Sequence, residues 1–360
     1  GLRARTVDRA GETALDRAVR AGPVVVLIAS PLEREYVDRI RAVDPRIEVL
    51  HDPALLPQPR YVSDHAGAPM TRTPDQEARF LEMLGRAEVV FDFPSGHFRD
   101  LPAVAPRLRW LQATSAGIGQ FVQRLGLDRT EITFTTASGV HARPLADFCL
   151  MAMLMFAKNY VWMERDKKAK RWERYSGEEL TGKTLAIVGV GRVGQEVARH
   201  GKRMDMRVTG MRRSEAPVPD VDKLFDRADL HAMLREADFL VLAAPHTPET
   251  EGIIGEAELA LLKPNAVLIN IGRGQLVDED ALIRALQEKR LAGAALDVLR
   301  DEPPPQDSPL WDMPNVILSP HSASTVTPEN ERITEIFCDN LRRYLRGQPL
   351  RNVLDKKKLY

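Results

Sequence analysis

Two doubly wound parallel-sheet domains, each an α/β unit with helices on both faces of its sheet, are the fold class that this sequence predicts. Three observations carry that expectation. Short β-branched runs alternate with helical stretches in both halves of the chain, the pattern of parallel strands joined by helical crossovers. The length of 360 residues is ample for two domains. One apolar run, Thr184-Leu185-Ala186-Ile187-Val188, passes directly into Gly189-Val190-Gly191-Arg192-Val193-Gly194 and then into a helical stretch.

The elements follow in order. Residues 1–20 are charged and helix-compatible, an appended segment before the first unit. Residues 24–29 read as a buried strand, 33–43 as an amphipathic helix and 47–50 as a second strand. After a proline-rich passage come a helix over 76–84 and short strands at 89–91, 108–112 and 132–135. One long helix over 144–174 then crosses to the second unit, apolar in its first half and charged from Glu164 to Arg174. Its methionines Met151, Met153 and Met155 read as core, and its charge run as a solvated face. The second unit repeats the alternation with six strands, at 184–188, 207–211, 239–243, 266–270, 293–296 and 316–318. A last amphipathic helix over 329–346 suits a chain that returns to the first unit. The expected domains are 1–145 with 327–360, and 146–326.

Composition narrows the classes of partner. Lys plus Arg and Asp plus Glu both number 51, so no net field favours a nucleic acid. The two cysteines, Cys149 and Cys338, form neither a disulfide framework nor a CxxC metal site, which suits a reducing compartment. The apolar run at 24–29 is far shorter than the roughly 20 residues of a spanning helix, and Glu33 and Arg34 follow it at once. These features predict a cytoplasmic protein with no nucleic-acid or membrane partner.

The strand–turn–helix at 184–199 carries the first chemistry. Gly189 allows the tight turn, Gly191 lets a pyrophosphate approach the backbone, and Gly194 lets the helix pack closely on the strand. The helix start offers amides and a partial positive charge to phosphates. A dinucleotide-binding Rossmann unit is therefore predicted. The next strand ends in Gly210-Met211-Arg212-Arg213-Ser214, without a carboxylate for a ribose 2′-hydroxyl at those positions. Two guanidinium groups and a hydroxyl suit a 2′-phosphate instead, which predicts a preference for NADP(H) with NAD(H) also admitted.

Three further segments stand where predicted strands end: Asn270-Ile271-Gly272-Arg273-Gly274, Asp297-Val298-Leu299-Arg300-Asp301-Glu302-Pro303 and Ser319-Pro320-His321. Open α/β sheets place ligands at such ends. Taken with the glycine turn, the passage Ala243-Ala244-Pro245-His246-Thr247-Pro248-Glu249-Thr250 and the tail Asn352-Val353-Leu354-Asp355, the sequence resembles the D-isomer-specific 2-hydroxyacid dehydrogenases over about residues 23 to 356.

That resemblance implies a flavodoxin-like substrate domain, a Rossmann cofactor domain and a cleft between them. It implies hydride transfer between NADP(H) and a small 2-keto or 2-hydroxy acid of the D series, and a homodimer through the cofactor units. Arg273 would hold the substrate carboxylate with its fork and polarise the adjacent carbonyl. His321 would give and take the proton, since imidazoles titrate near neutrality, and Glu302 would fix its ring and stabilise its positive charge. Cofactor contacts are implied for Arg192, Val193, Pro245, Thr250, Ile271 and Asp297. Ala116 and Gly117, in Thr114-Ser115-Ala116-Gly117-Ile118, would present amides to the carboxylate. The loop over 91–98 would face the substrate side chain.

The chain departs from the family pattern at Gly119, where relatives often have Asp, at Asp147, where many have Glu, and at His246, where an aliphatic residue is common. Glu302 separates it from formate dehydrogenases, which pair the histidine with glutamine. Some relatives of the fold sense dinucleotides without turnover, and a cofactor-sensing interaction protein is the alternative reading. The set of Arg273, Glu302 and His321 weighs against it.

Overall fold

The computed structural model describes residues 22–214 and 216–359, so the segment over 1–20 lies outside the described residues. The chain packs as two units, one running through Val140 and resuming at Val326, the other His141–Thr325.

The first unit is built on β1 (Val24–Ile28), β2 (Ile47–Leu50), β3 (Val89–Phe91), β4 (Trp110–Gln112) and β5 (Thr133–Thr135). They form one sheet in the order β2-β1-β3-β4-β5, and each pairing is parallel, with Val26 opposite Val89 and Val89 opposite Trp110. This is the flavodoxin-like order, whose direction of winding reverses between β1 and β3. Strands buried on both faces must be apolar almost throughout, and Val26, Leu27, Val89, Val90, Phe91 and Leu111 are all fully buried. The helix Glu329–Leu345 packs on this sheet. Phe337 meets Phe91 edge-on at 5.1 Å and lies tilted on Trp110 at 5.1 Å. Burying one such aromatic stabilises the unit by about 1.5–3 kcal/mol. The Trp110 indole N–H donates to Thr135 Oγ1 at 2.8 Å, so the buried ring leaves no donor unmet.

The second unit holds β6 (Thr184–Val188), β7 (Arg207–Met211), β8 (Lys223–Phe225), β9 (Phe239–Leu242), β10 (Val267–Asn270), β11 (Gly293–Leu296) and β12 (Val316–Leu318). Its seven-stranded sheet has the order β12-β11-β10-β9-β6-β7-β8. The winding reverses between β6 and β9, as in dinucleotide folds. Side chains alternate between two cores: Leu185, Ile187, Val241 and Ile269 pack on one face, Ala186, Val188, Leu240 and Leu268 on the other.

Two expectations are corrected. The sheet has a seventh strand, β8, where six were expected. It is a three-residue edge strand, Lys-Leu-Phe, too short to show a two-residue period. The helix expected over 144–174 is two helices, Ala142–Ala157 and Tyr160–Lys168, bent by 61°. Asn159 between them adopts φ 56°, a left-handed conformation that asparagine tolerates better than most residues. Residues 171–179 form no regular structure. Of the methionines, Met153 is core while Met151 is exposed. Among the described residues no single helix is long and apolar enough to cross a membrane; only this bent pair passes by length and composition, and Cys149, Ala152 and Met153 of its first helix are core residues. Cys149 and Cys338 are free and buried.

Candidate active site

The glycine turn lies at the switch point of the second sheet, where the ends of β6 and β9 stand side by side. Gly189 has φ 97°, and a Cβ there would stand 2.5 Å from the Ala244 backbone nitrogen. Only glycine lets these loops meet. A Cβ on Gly194 would lie 2.3 Å from the Gly189 carbonyl oxygen, so the third glycine is set by helix–turn packing. A Cβ on Gly191, in contrast, would meet nothing within 4 Å. The helix Arg192–Arg203 starts there with no side-chain cap and no acid in its first turn. Its positive end is open to an anion, so these residues fit a dinucleotide pyrophosphate.

Around the turn stand the other implied contacts. Val193 is half-buried and Arg192 exposed. Thr250 Oγ1 donates to the Pro245 carbonyl at 2.7 Å and accepts from the Thr247 amide at 2.8 Å, which pins the loop after β9. At the end of β7, Arg212 Nε donates to the Ser214 carbonyl at 2.9 Å, and Arg213 pairs with Glu249 at 3.5 Å. The loop over 212–214 is thus shaped by its own contacts, with one arginine partly matched by a carboxylate.

Arg273, Glu302 and His321 follow β10, β11 and β12, which are neighbours in the sheet. The Asn270 side chain clips the first loop, accepting from the Gly272 amide at 3.1 Å and donating to the Arg273 carbonyl at 2.9 Å. A Cβ on Gly274 would sit 2.0 Å from the Leu299 carbonyl carbon, so this loop lies directly on the one that carries Glu302. Burial lowers the pKa of the half-buried Arg273 guanidinium, and the Glu302 carboxylate opposes the shift. Glu302 uses both oxygens. Oε1 accepts the Leu299 amide at 3.0 Å and Oε2 bonds His321 Nδ1 at 2.7 Å. The His321 side chain remains 46% exposed, so the ring is oriented and still reachable. His321 itself has φ 54°.

Asp297 sits beneath. Buried at the end of β11, its Oδ1 accepts from Ser319 Oγ at 2.7 Å and from the Ser322 and Ala323 amides at 2.9 Å. The His321 amide donates to its carbonyl at 2.9 Å. Asp297 therefore shapes the turn that presents His321. Ile271 is buried, its amide donating to the Leu242 carbonyl at 3.1 Å.

In the first unit, Ser115, Ala116 and Gly117 are exposed. Ser115 and Gly117 line a cavity of about 330 Å³ together with Asp92, Phe93, Ser95 and Phe98. The two segments singled out by sequence thus meet at one pocket beside the β1/β3 switch point. His97 points elsewhere, bonded to Asp100 at 3.0 Å and Glu77 at 2.5 Å. Sequence reasoning passed over His65, which also lines the cavity. It stands 3.6 Å from buried Glu329. Burial penalises its charge, but the carboxylates of Glu329, Asp92 and Glu33 hold its pKa above the ordinary histidine value. A lone histidine in a loop carries no sequence signal of such partners.

The departures have local causes. A Cβ on Gly119 would stand 1.9 Å from the Leu359 carbonyl oxygen, so the chain's own tail excludes a side chain there. Asp147 Oδ1 accepts from His200 Nε2 at 2.7 Å, and His246 lies 3.5 Å from Glu251.

A seven-stranded dinucleotide sheet with an arginine and a His–Glu pair on neighbouring strand ends defines a nicotinamide-linked oxidoreductase. Residues 150–323 match the family model described as D-isomer specific 2-hydroxyacid dehydrogenase, NAD binding domain. The glyoxylate reductase of Thermococcus gammatolerans is 35% identical over 262 residues, covering 70% of this chain and 78% of that protein. The D-isomer specific 2-hydroxyacid dehydrogenase of Xanthobacter autotrophicus, solved with NADPH and MES, superposes with a TM-score of 0.76 at 26% identity, covering 94% of this chain and 100% of that one. The NADPH-dependent glyoxylate/hydroxypyruvate reductase of Sinorhizobium meliloti, solved with NADP and sulfate, gives a TM-score of 0.74 at 28% identity, covering 94% and 100%. The chain belongs to the D-isomer-specific 2-hydroxyacid dehydrogenases, enzymes that interconvert small 2-keto and 2-hydroxy acids.

Proposed function

We propose that this enzyme reduces a small 2-keto acid to its D-2-hydroxy acid with NADP(H), and that His321 is the proton donor. The single observation that carries the reading is the 2.7 Å bond from Glu302 to His321 Nδ1, which leaves Nε2 for substrate. A reduced nicotinamide dinucleotide, held by its pyrophosphate at the turn over 189–194, would supply the hydride. Gly189, Gly191, Arg192, Val193 and Gly194 would hold the pyrophosphate side, and Pro245, Thr250, Ile271 and Asp297 would stand along the remainder. Arg273 takes the substrate carboxylate, and its partial burial strengthens the charge-assisted bonds it makes. Ala116 and Gly117 offer amides to the same class of group. His321 holds the proton that the developing alkoxide receives, and Glu302 steadies the imidazolium.

The preference for NADP(H) rests on Arg212, Arg213 and Ser214 at the end of β7, and on the two solved relatives that hold NADPH or NADP. A homodimer is supported by the exposed Tyr160, Trp162 and Met163 on the helix Tyr160–Lys168, apolar surface of the kind that a second copy covers. Cytoplasmic residence completes the reading. The test is oxidation of NADPH and NADH, followed at 2-keto acid saturation. Turnover with NADPH favoured is the expected result; dinucleotide binding without turnover on any keto acid would establish the cofactor-sensing alternative.

A further inference from the structure

We propose that the substrate is a monocarboxylic 2-keto acid whose side chain is uncharged, apolar and bulky, aryl or branched alkyl, received by the first-unit cavity beside residues 115–117. The proposal rests on the reductase reading above and on residues 115–117 as the carboxylate loop.

Size is the first argument. At about 330 Å³ the cavity has room for about ten waters at ~30 Å³ each. A two-carbon keto acid has no side chain to place there. Such a substrate would leave the space to solvent and gain nothing from it.

The wall is the second. Phe93, Phe98, Phe121 and Ile118 are the large apolar side chains on it. Phe121 meets Phe93 edge-on at 5.1 Å and Phe98 edge-on at 5.6 Å. Phe93 in turn stacks on fully buried Phe134 at 6.0 Å. Rings braced in this way give the cavity one preformed apolar wall, suited to flat or branched hydrocarbon.

Charge is the third, and it decides against a second anion on the substrate. Asp92 accepts the Phe93 amide and the Thr114 hydroxyl, both at 2.9 Å, which fixes a carboxylate at the cavity. His65 is the cationic side chain among the lining residues, and Glu329 stands 3.6 Å from it. Arg72, which reaches the loop in space, is spent on the Ser95 carbonyl at 3.0 Å and lies over the Phe80 ring. A distal phosphate or carboxylate would therefore meet the Asp92 carboxylate, while the one lining imidazole is already balanced by buried Glu329 behind it, an arrangement that selects against a second anion.

The test uses the full chain with NADPH and NADH both supplied, so that cofactor choice does not mask the result. The panel is glyoxylate, hydroxypyruvate, 2-oxoglutarate, phenylpyruvate and 4-methyl-2-oxopentanoate. Phenylpyruvate or 4-methyl-2-oxopentanoate is expected to exceed each of the others at least tenfold in kcat/KM, the scale on which a few methylenes discriminate in an apolar pocket. Equal or better turnover of glyoxylate, hydroxypyruvate or 2-oxoglutarate overturns the substrate assignment and leaves the reductase reading standing. Turnover of none overturns the reductase reading itself. The Ala66→Leu variant places bulk on the cavity wall. The ratio of kcat/KM for the favoured acid over glyoxylate should fall at least tenfold; an unchanged ratio overturns the proposal.

Discussion

Single side chains in this molecule take their roles from hydrogen-bond partners, some in the same turn and some far away in sequence. Glu302 orients His321 because the Leu299 amide already holds its other oxygen. Residue types such as Arg273, Glu302 and His321 were legible in their motifs. The clips that hold them were not: Asn270 bonds within its own turn, in a geometry that residue type does not mark, and Asp297 bonds Ser322 in a loop that meets it only in space. Asp64, away from the site, is held by partners close in sequence. Its buried carboxylate takes Arg60 Nε at 2.8 Å and the backbone amides of Arg60 and Gly67 at 3.0 Å. The Arg60 guanidinium and these amides hold its pKa well below the usual carboxylate range. Because the folded pKa is depressed, its contribution is fully present above about pH 4 and is lost as the pH falls further. Asp64→Asn is expected to cost about 1–3 kcal/mol at neutral pH. In urea unfolding the gap from the parent should shrink at pH 3; a gap that does not change contradicts this account.

Elements of regular length were readable and irregular ones were not. The strands at 89–91 and 184–188 fall where the apolar runs place them, because a strand buried on both faces needs a continuous apolar segment. β8 has three residues and one exposed lysine, and no periodicity can mark it. The bend at Asn159 hides in a helix-compatible stretch. Two predictions belong here. At the end of β7, replacing Arg212 and Arg213 together with alanine should lower kcat/KM for NADPH by about 10–100-fold, the worth of charge-assisted bonds to a phosphate, while NADH changes by only a few fold. A parallel loss for both cofactors would detach these arginines from the 2′-phosphate. Where the β10 and β11 loops touch, Gly274→Ala forces a Cβ to 2.0 Å from the Leu299 backbone. Overpacking of this kind costs about 1–3 kcal/mol, so Tm should drop by several degrees; an unchanged melting curve contradicts the packing argument.

At the scale of the whole molecule, two parallel sheets of five and seven strands each reverse their winding beside a candidate binding feature. The alternation of strands and helices announced this architecture, while strand order followed only from the structure, since apolar runs do not say which neighbours pair. The same limit applies to the first-unit cavity. Residues 91–98 and 115–117 were read separately, and the fold brings them to one pocket. The account as a whole turns on His321 as proton donor. The direct test is steady-state reduction of the best keto acid by NADPH in the parent and in His321→Ala, with NADPH affinity measured on both. A kcat/KM lower by at least a hundredfold with NADPH binding retained is the predicted result; near-parental turnover in the variant would contradict it.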